Sequence, residues 1–152
     1  TTEADIGAIL PLVHLPESNT TVLLYRRASG QLWARRMADN GALSRPVQVT
    51  ERPVVQSAVD SDQVGADAVA IGTSVHVLFI EAGTGRLYHT SSPRRGEWRT
   101  ATVQVDSVDA QWVRGQPVSK RASAPTAYGY VYDAGSDGGS GMNWYREVPV
   151  GP

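Results

Sequence analysis

A chain of 152 residues with 14 Lys and Arg against 15 Asp and Glu is nearly neutral, which argues against nucleic acid or an anionic membrane as a partner. Cysteine is absent, so disulfides, thiolate metal centres and thiol catalysis are excluded. The longest uncharged apolar run, residues 68–80, falls short of the roughly 20 residues that cross a bilayer.

Taken in order, residues 1–5 form a polar tail, and residues 6–15, interrupted by Gly7 and Pro11, predict an inner β-strand. Pro16-Glu17-Ser18-Asn19 is turn chemistry. Residues 20–26 and 31–37 predict a hairpin around Ala28-Ser29-Gly30, and residues 46–50 an outer strand. A connection over 51–63 leads to a second inner strand at 64–71, where Gly65, Ala66, Ala68 and Ala70 suit the crowded axis of a radial fold. A second hairpin follows at 75–80 and 86–91, then an outer strand over 97–106 bearing Trp98, Val103 and Val105. Residues 107–119 read as irregular; a third inner strand is expected near 122–127 and a third hairpin at 128–132 and 142–148. No fourth strand is left for this last unit, and residues 1–6 are the expected donor, from the same or a neighbouring molecule.

The hairpins repeat. Val22-Leu23-Leu24-Tyr25 with Gly30-Gln31-Leu32-Trp33 returns as Val77-Leu78-Phe79-Ile80 with Gly85-Arg86-Leu87-Tyr88, and again as Gly129-Tyr130-Val131-Tyr132 with Gly141-Met142-Asn143-Trp144. Gly30 to Gly85 is 55 residues and Gly85 to Gly141 is 56. Such a period, made of short strands and glycine turns, predicts an all-β fold of about three four-stranded antiparallel propeller blades. The repeats fall at about 6–55, 60–107 and 118–152 of one partial-propeller domain. A ring commonly needs about four to eight blades, so another segment, chain or further copies are expected to close it.

Each hairpin, an apolar strand, a turn rich in Asp, Gly and Ser and then an aromatic strand, resembles the middle of a sialidase-type or BNR-type blade. The Asp box of that family, Ser-x-Asp-x-Gly-x-x-Trp, is not intact: Asp137-Gly138-Gly139 followed by Trp144 comes nearest, with two residues too many. Tyr130-Val131-Tyr132-Asp133, leading to Asn143-Trp144-Tyr145, is similar to the last blade of propeller-shaped polysaccharide lyases. The resemblance implies a carbohydrate ligand, handled by hydrolases, lyases of acidic polysaccharides or lectins built from blades. It carries over no catalytic residue.

The candidate chemistry is therefore weighed residue by residue. His89 beside Tyr88 suggests the base and acid of proton abstraction next to a uronate carboxylate, with Tyr130 and Tyr132 as further catalytic candidates. Adjacent strand residues point to opposite faces, which separates Tyr88 from His89 unless a bulge intervenes. His14 and His76 read as strand side chains. Arg86 is a candidate for holding an acidic sugar, and the pairs Arg26-Arg27, Arg35-Arg36, Arg94-Arg95 and Lys120-Arg121 read as oxyanion binders or solvated surface. Trp33, Tyr88 and Trp144 hold matching places in the repeat and suit stacking on sugar faces or packing between blades. Asp133 and Asp137 begin a calcium loop of the D-x-[DN]-x-[DN]-G type, with Gly135 at a ligand position and Trp144 in place of the closing Glu; the other reading is a solvated turn. No cofactor is required, and calcium is the one metal this loop suggests.

The expectation is an enzyme cleaving an acidic glycan by elimination or hydrolysis. A lectin using the three aromatics and a protein-binding scaffold are the alternatives. No signal peptide is visible, yet a start at Thr1 suggests a processed chain, and Asn19-Thr20-Thr21 is a glycosylation sequon in a polar turn. A secreted or extracellular address follows as an expectation.

Overall fold

The computed structural model describes residues 6–10, 12–56, 65–93, 96–106, 110, 112–120, 123–133 and 143–150. Short runs of alternating apolar residues become three antiparallel sheets. In the first, β1 (Ile6–Ile9) and β2 (Val13–Leu15) pair with successive parts of β3 (Thr20–Arg27), followed outward by β4 (Leu32–Met37) and β5 (Val47–Thr50). Ile9 opposes Tyr25 and Val13 opposes Val22, so β1 and β2 form one interrupted inner row and the sheet has four rows. The second sheet is β6 (Ala66–Ile71), β7 (Ser74–Ile80), β8 (Leu87–Ser92) and β9 (Thr102–Val105). The third is β10 (Val113–Val118), β11 (Ala127–Asp133) and β12 (Asn143–Pro149). The fold is all-β and blade-like, and it is not closed into a propeller. Among the described residues no helix is long and apolar enough to cross a membrane.

The middle sheet is covered on both sides because β7 is apolar on both faces. Val75, Val77 and Phe79 join Leu24, Leu32 and Val49 of the first sheet in one core, while Leu78 and Ile80 join Val113, Tyr128 and Tyr130 of the third in another. Each of these buried side chains contributes roughly 1.5–3 kcal/mol by leaving water. The inner strands β2, β6 and β10 lie side by side, and the small side chains of Ala66 and Ala68 are buried there. Gly72, with φ 60°, opens the two-residue turn between β6 and β7 that sets Ile71 opposite Ser74.

Two expectations on strand limits are corrected. The inner strand of the third sheet lies at Val113–Val118, inside the stretch expected to be irregular, whereas Ala127 already belongs to β11. Residue 6 does not complete the third sheet; Ile6 pairs with Arg27 in the first. Residues 1–5 lie outside the described residues.

The two interfaces are fastened by different means. Between the first and second sheets, the connector after β5 is held on both sides: Arg26 Nε donates to the Val54 carbonyl at 2.8 Å and Val54 N–H to that of Gly30 at 2.9 Å. On the other side, Val55 N–H donates to the carbonyl of Ile80 at 2.9 Å and Ala82 N–H to that of Pro53 at 2.8 Å. Between the second and third sheets, buried Asp67 Oδ2 accepts hydrogen bonds from the Tyr128 hydroxyl at 2.8 Å and the Gly115 N–H at 2.9 Å. Desolvation still raises the Asp67 pKa, and these two bonds only partly offset it.

Candidate functional site

A groove of about 790 Å³ lies between the outer parts of the first and second sheets. One wall is β5 and the bend after it; the other is Glu81 and residues 98–101, which lead into β9. The connector brings these walls together. Val54 bridges to Glu81, and Arg52, two residues earlier, thereby meets the start of the β7–β8 turn.

Arg52 is fixed from two directions. Its Nη1 donates to Glu81 Oε2 at 2.6 Å, and its guanidinium carbon lies 4.3 Å from the centre of the Tyr88 ring. Tyr88 in turn stacks on Phe79, with centroids 5.4 Å apart and an interplanar angle of 11°. A cation over an aromatic face is held electrostatically as well as by contact. Thr84 Oγ1 donates to the second Glu81 oxygen at 2.5 Å. Burial pushes the Glu81 carboxyl up, but the bonds from Thr84 and Arg52 outweigh that and hold it below its ordinary value. The bond from Glu81 likewise raises Arg52, so both partners stay charged.

Half-buried Trp98 stands across from β5, packed against the first core while lining the groove. Val47 to Thr50 line it along β5; Gln48 pairs with Trp33, so its side chain, whose amide nitrogen donates to the Thr50 carbonyl at 3.0 Å, lies on the Trp33 face. Glu51, Arg52, Glu81 and Arg99 are the charged residues of this lining, and the Arg99 charge also acts on His76.

The residues singled out from sequence lie elsewhere, apart from Tyr88. That ring is 2 % exposed and forms the support beneath Arg52. His89 points to the opposite face of β8, toward the third sheet, where its Nε2 is 3.0 Å from His76 Nδ1. Tyr130 and Tyr132 face the same interface from β11 and are buried, their ring centres 6.0 Å apart. Burial pushes the Tyr130 hydroxyl up to about 12, and Arg146 Nε donates to the Tyr132 hydroxyl at 3.3 Å. No hydrogen bond joins His89 to either tyrosine among the described residues.

Arg86 forms an exposed pair with Asp106, Nε to Oδ1 3.1 Å, a type of contact contributing about 0–1 kcal/mol. Trp33 lies on the face of the first sheet away from the second, with the Arg27 guanidinium carbon 4.2 Å from its ring centre. Trp144, on β12 opposite Tyr132, is 48 % exposed. The three aromatics therefore occupy matching rows in three unlike environments. Asp133 Oδ1 accepts the Trp112 N–H at 3.1 Å; its expected companion Asp137 lies outside the described residues. Among the described residues, no group of three or more His, Asp and Glu side chains is placed to hold a metal ion. His14 is exposed, with Nδ1 3.3 Å from Thr21 Oγ1.

Sequence reading missed Arg52. A signal existed in the outer strands, which share Val-Gln-Val at 47–49 and 103–105; it marks equivalent strands but not the wall that faces them. No protein-family model matches the chain, and no curated protein matches it.

Proposed function

We propose that the chain binds carbohydrate in the groove between its first and second sheets. The observation that carries this reading is the groove's combination of one aromatic ring, Trp98, with a guanidinium held in a fixed position, Arg52 by Tyr88 and Glu81. A sugar ring offers an apolar face and a rim of hydroxyls, and such a lining supplies a partner for each. Fixed polar groups lose little side-chain freedom on binding, which favours affinity.

Binding is favoured over hydrolysis by the state of Glu81. Hydrolysis by a carboxyl pair needs one acid held protonated near neutral pH, through a raised pKa. The buried carboxyl of this groove is shifted the other way.

The test is calorimetric titration with a panel of neutral and acidic oligosaccharides, on wild type, Trp98→Leu and Arg52→Gln. At least one glycan should bind, and Trp98→Leu should weaken it about tenfold, equivalent to about 1.4 kcal/mol. Urea midpoints measured alongside confirm that the variants remain folded. A panel without a binder, or binding indifferent to both substitutions in folded protein, would sink the proposal.

A further inference from the structure

Beside the groove lies a second cavity of about 260 Å³, which shares Val47 and Trp98 with it. Its charge is of one sign. Arg36 and Arg45 line it, and no carboxylate does so among the described residues.

Arg36 is fixed like a built ligand-holder. Its Nη2 donates to Ser92 Oγ at 2.8 Å and to the Pro93 carbonyl at 3.3 Å, which ties the fork to the second sheet. Its backbone N–H donates to Ser44 Oγ at 2.8 Å, and Ser44 Oγ donates to the Arg45 carbonyl at 3.0 Å, so the chain carrying both arginines is held as one piece. Space over the Arg36 fork depends on Gly96. That residue has φ 83°, and a Cβ there would stand 3.2 Å from Arg36 Nε. The Nε side of the guanidinium thus opens into the cavity where residue 96 lacks a side chain.

From this geometry we infer that the small cavity is a subsite for an anionic substituent, a carboxylate or O-sulfate, on a glycan whose neighbouring ring lies against Trp98. The inference rests on the carbohydrate reading of the main groove. A planar or tetrahedral oxyanion matches the donor spacing of a guanidinium fork. Arg45 and Arg52 flank β5, whose four residues alone span roughly 13 Å in extended chain. A ligand touching both ends is therefore an oligosaccharide, with its charged group on the Arg45 side and uncharged hydroxyls in the main groove.

The experiment compares three oligosaccharides of equal length, one neutral, one containing uronate and one O-sulfated neutral sugar, by titration calorimetry. At least one charged ligand should bind about three- to tenfold more tightly than the neutral one, with the advantage shrinking as salt rises. In Arg45→Gln the charged-to-neutral affinity ratio should fall toward one. Gly96→Ala, which fills the space over Arg36, should lower the same ratio. Comparison of the uronate and sulfate arms identifies the oxyanion. Equal binding of all three ligands, or a preference that survives Arg45→Gln, overturns the subsite while leaving the groove reading intact. Failure of all three to bind overturns both.

Discussion

Acid should weaken this fold through His76 and His89. The two residues are diagonal neighbours on β7 and β8 and face the third sheet. Their ring centres are 5.2 Å apart and their planes 12° apart. The rings are thus nearly parallel, with Nδ1 of His76 and Nε2 of His89 sharing one hydrogen at 3.0 Å. Burial lowers both to about 4, helped by the Arg99 charge at His76 and by His76 itself at His89. Both are neutral in the folded protein near pH 7, whereas the unfolded chain takes up its protons around 6.5. The contribution is thus complete above pH 6.5 and is lost as pH falls toward 4. A fall from 6.5 to about 4 corresponds to about 3 kcal/mol for the first proton. At a urea dependence of roughly 2 kcal/mol per molar, the midpoint should drop by about 1.5 M. The assay is urea unfolding followed by tryptophan fluorescence between pH 7 and 4, on wild type and His76→Met/His89→Met. Asp67, raised by burial, and Glu81, held low by Thr84 and Arg52, also add to the pH dependence, but they do so in both proteins and cancel in the difference. Parallel pH profiles for the two proteins would refute the reasoning.

Tyr128→Phe removes one of two donors to the buried Asp67 Oδ2 and should cost about 1.5–3 kcal/mol in urea unfolding at pH 7. Adding Asp67→Asn should recover part of that loss, since no buried charge is then left short of a donor; no loss in the single variant would contradict the role given to this bond. Gly115→Ala should destabilise by about 1–3 kcal/mol or more, because the new Cβ meets the backbone carbonyl of Gly129. Gly129→Ala should cost less in the same thermal melts, because its Cβ meets the side chains of Val118 and Tyr145, which can swing aside; the reverse order would count against this packing.

The first two hairpins were legible because their signals are local. Val22 to Tyr25 and Val75 to Ile80 are apolar runs, and each leads to a turn that requires glycine, Gly30 with φ 97° and Gly85 with φ 67°. The strand β10 was illegible because it holds Gly115 and Pro117, which read as breakers. Both are tolerated for reasons visible only in three dimensions. Gly115 sits where any Cβ would strike Gly129, and Pro117 lies on an edge strand, where a missing N–H removes no ladder bond on the open side. The chemistry of Arg52 was hidden for a different reason. Its partners Glu81 and Tyr88 lie 29 and 36 residues further along the sequence, and no periodicity reports which connector will cross from one sheet to the next. Tyr88 itself was legible as an aromatic place in the repeat. Whether that place served stacking or packing was decided by what lay above it, a guanidinium rather than open solvent.

The groove follows from how the units repeat. The first sheet ends outward in β5 and the second in β9, both carrying Val-Gln-Val. In each unit nine residues separate the outer strand from its neighbour, 38–46 and 93–101, and the later part of the second segment, 98–101, forms a wall of the groove. Within that segment Arg99 N–H reaches the Ser91 carbonyl at 2.9 Å, and Trp98 is left to line both cavities. At the second interface the described third sheet stops at β12, so no outer strand stands where β5 does at the first. The regular strands supply a stiff frame, and the connecting segment at 98–101 supplies one wall of the concavity, which is the usual division of labour between scaffold and loop. A shared 55- or 56-residue period thus gives matching rows, whereas the character of the groove comes from what each connecting segment carries, Arg52 after β5 and Trp98 before β9.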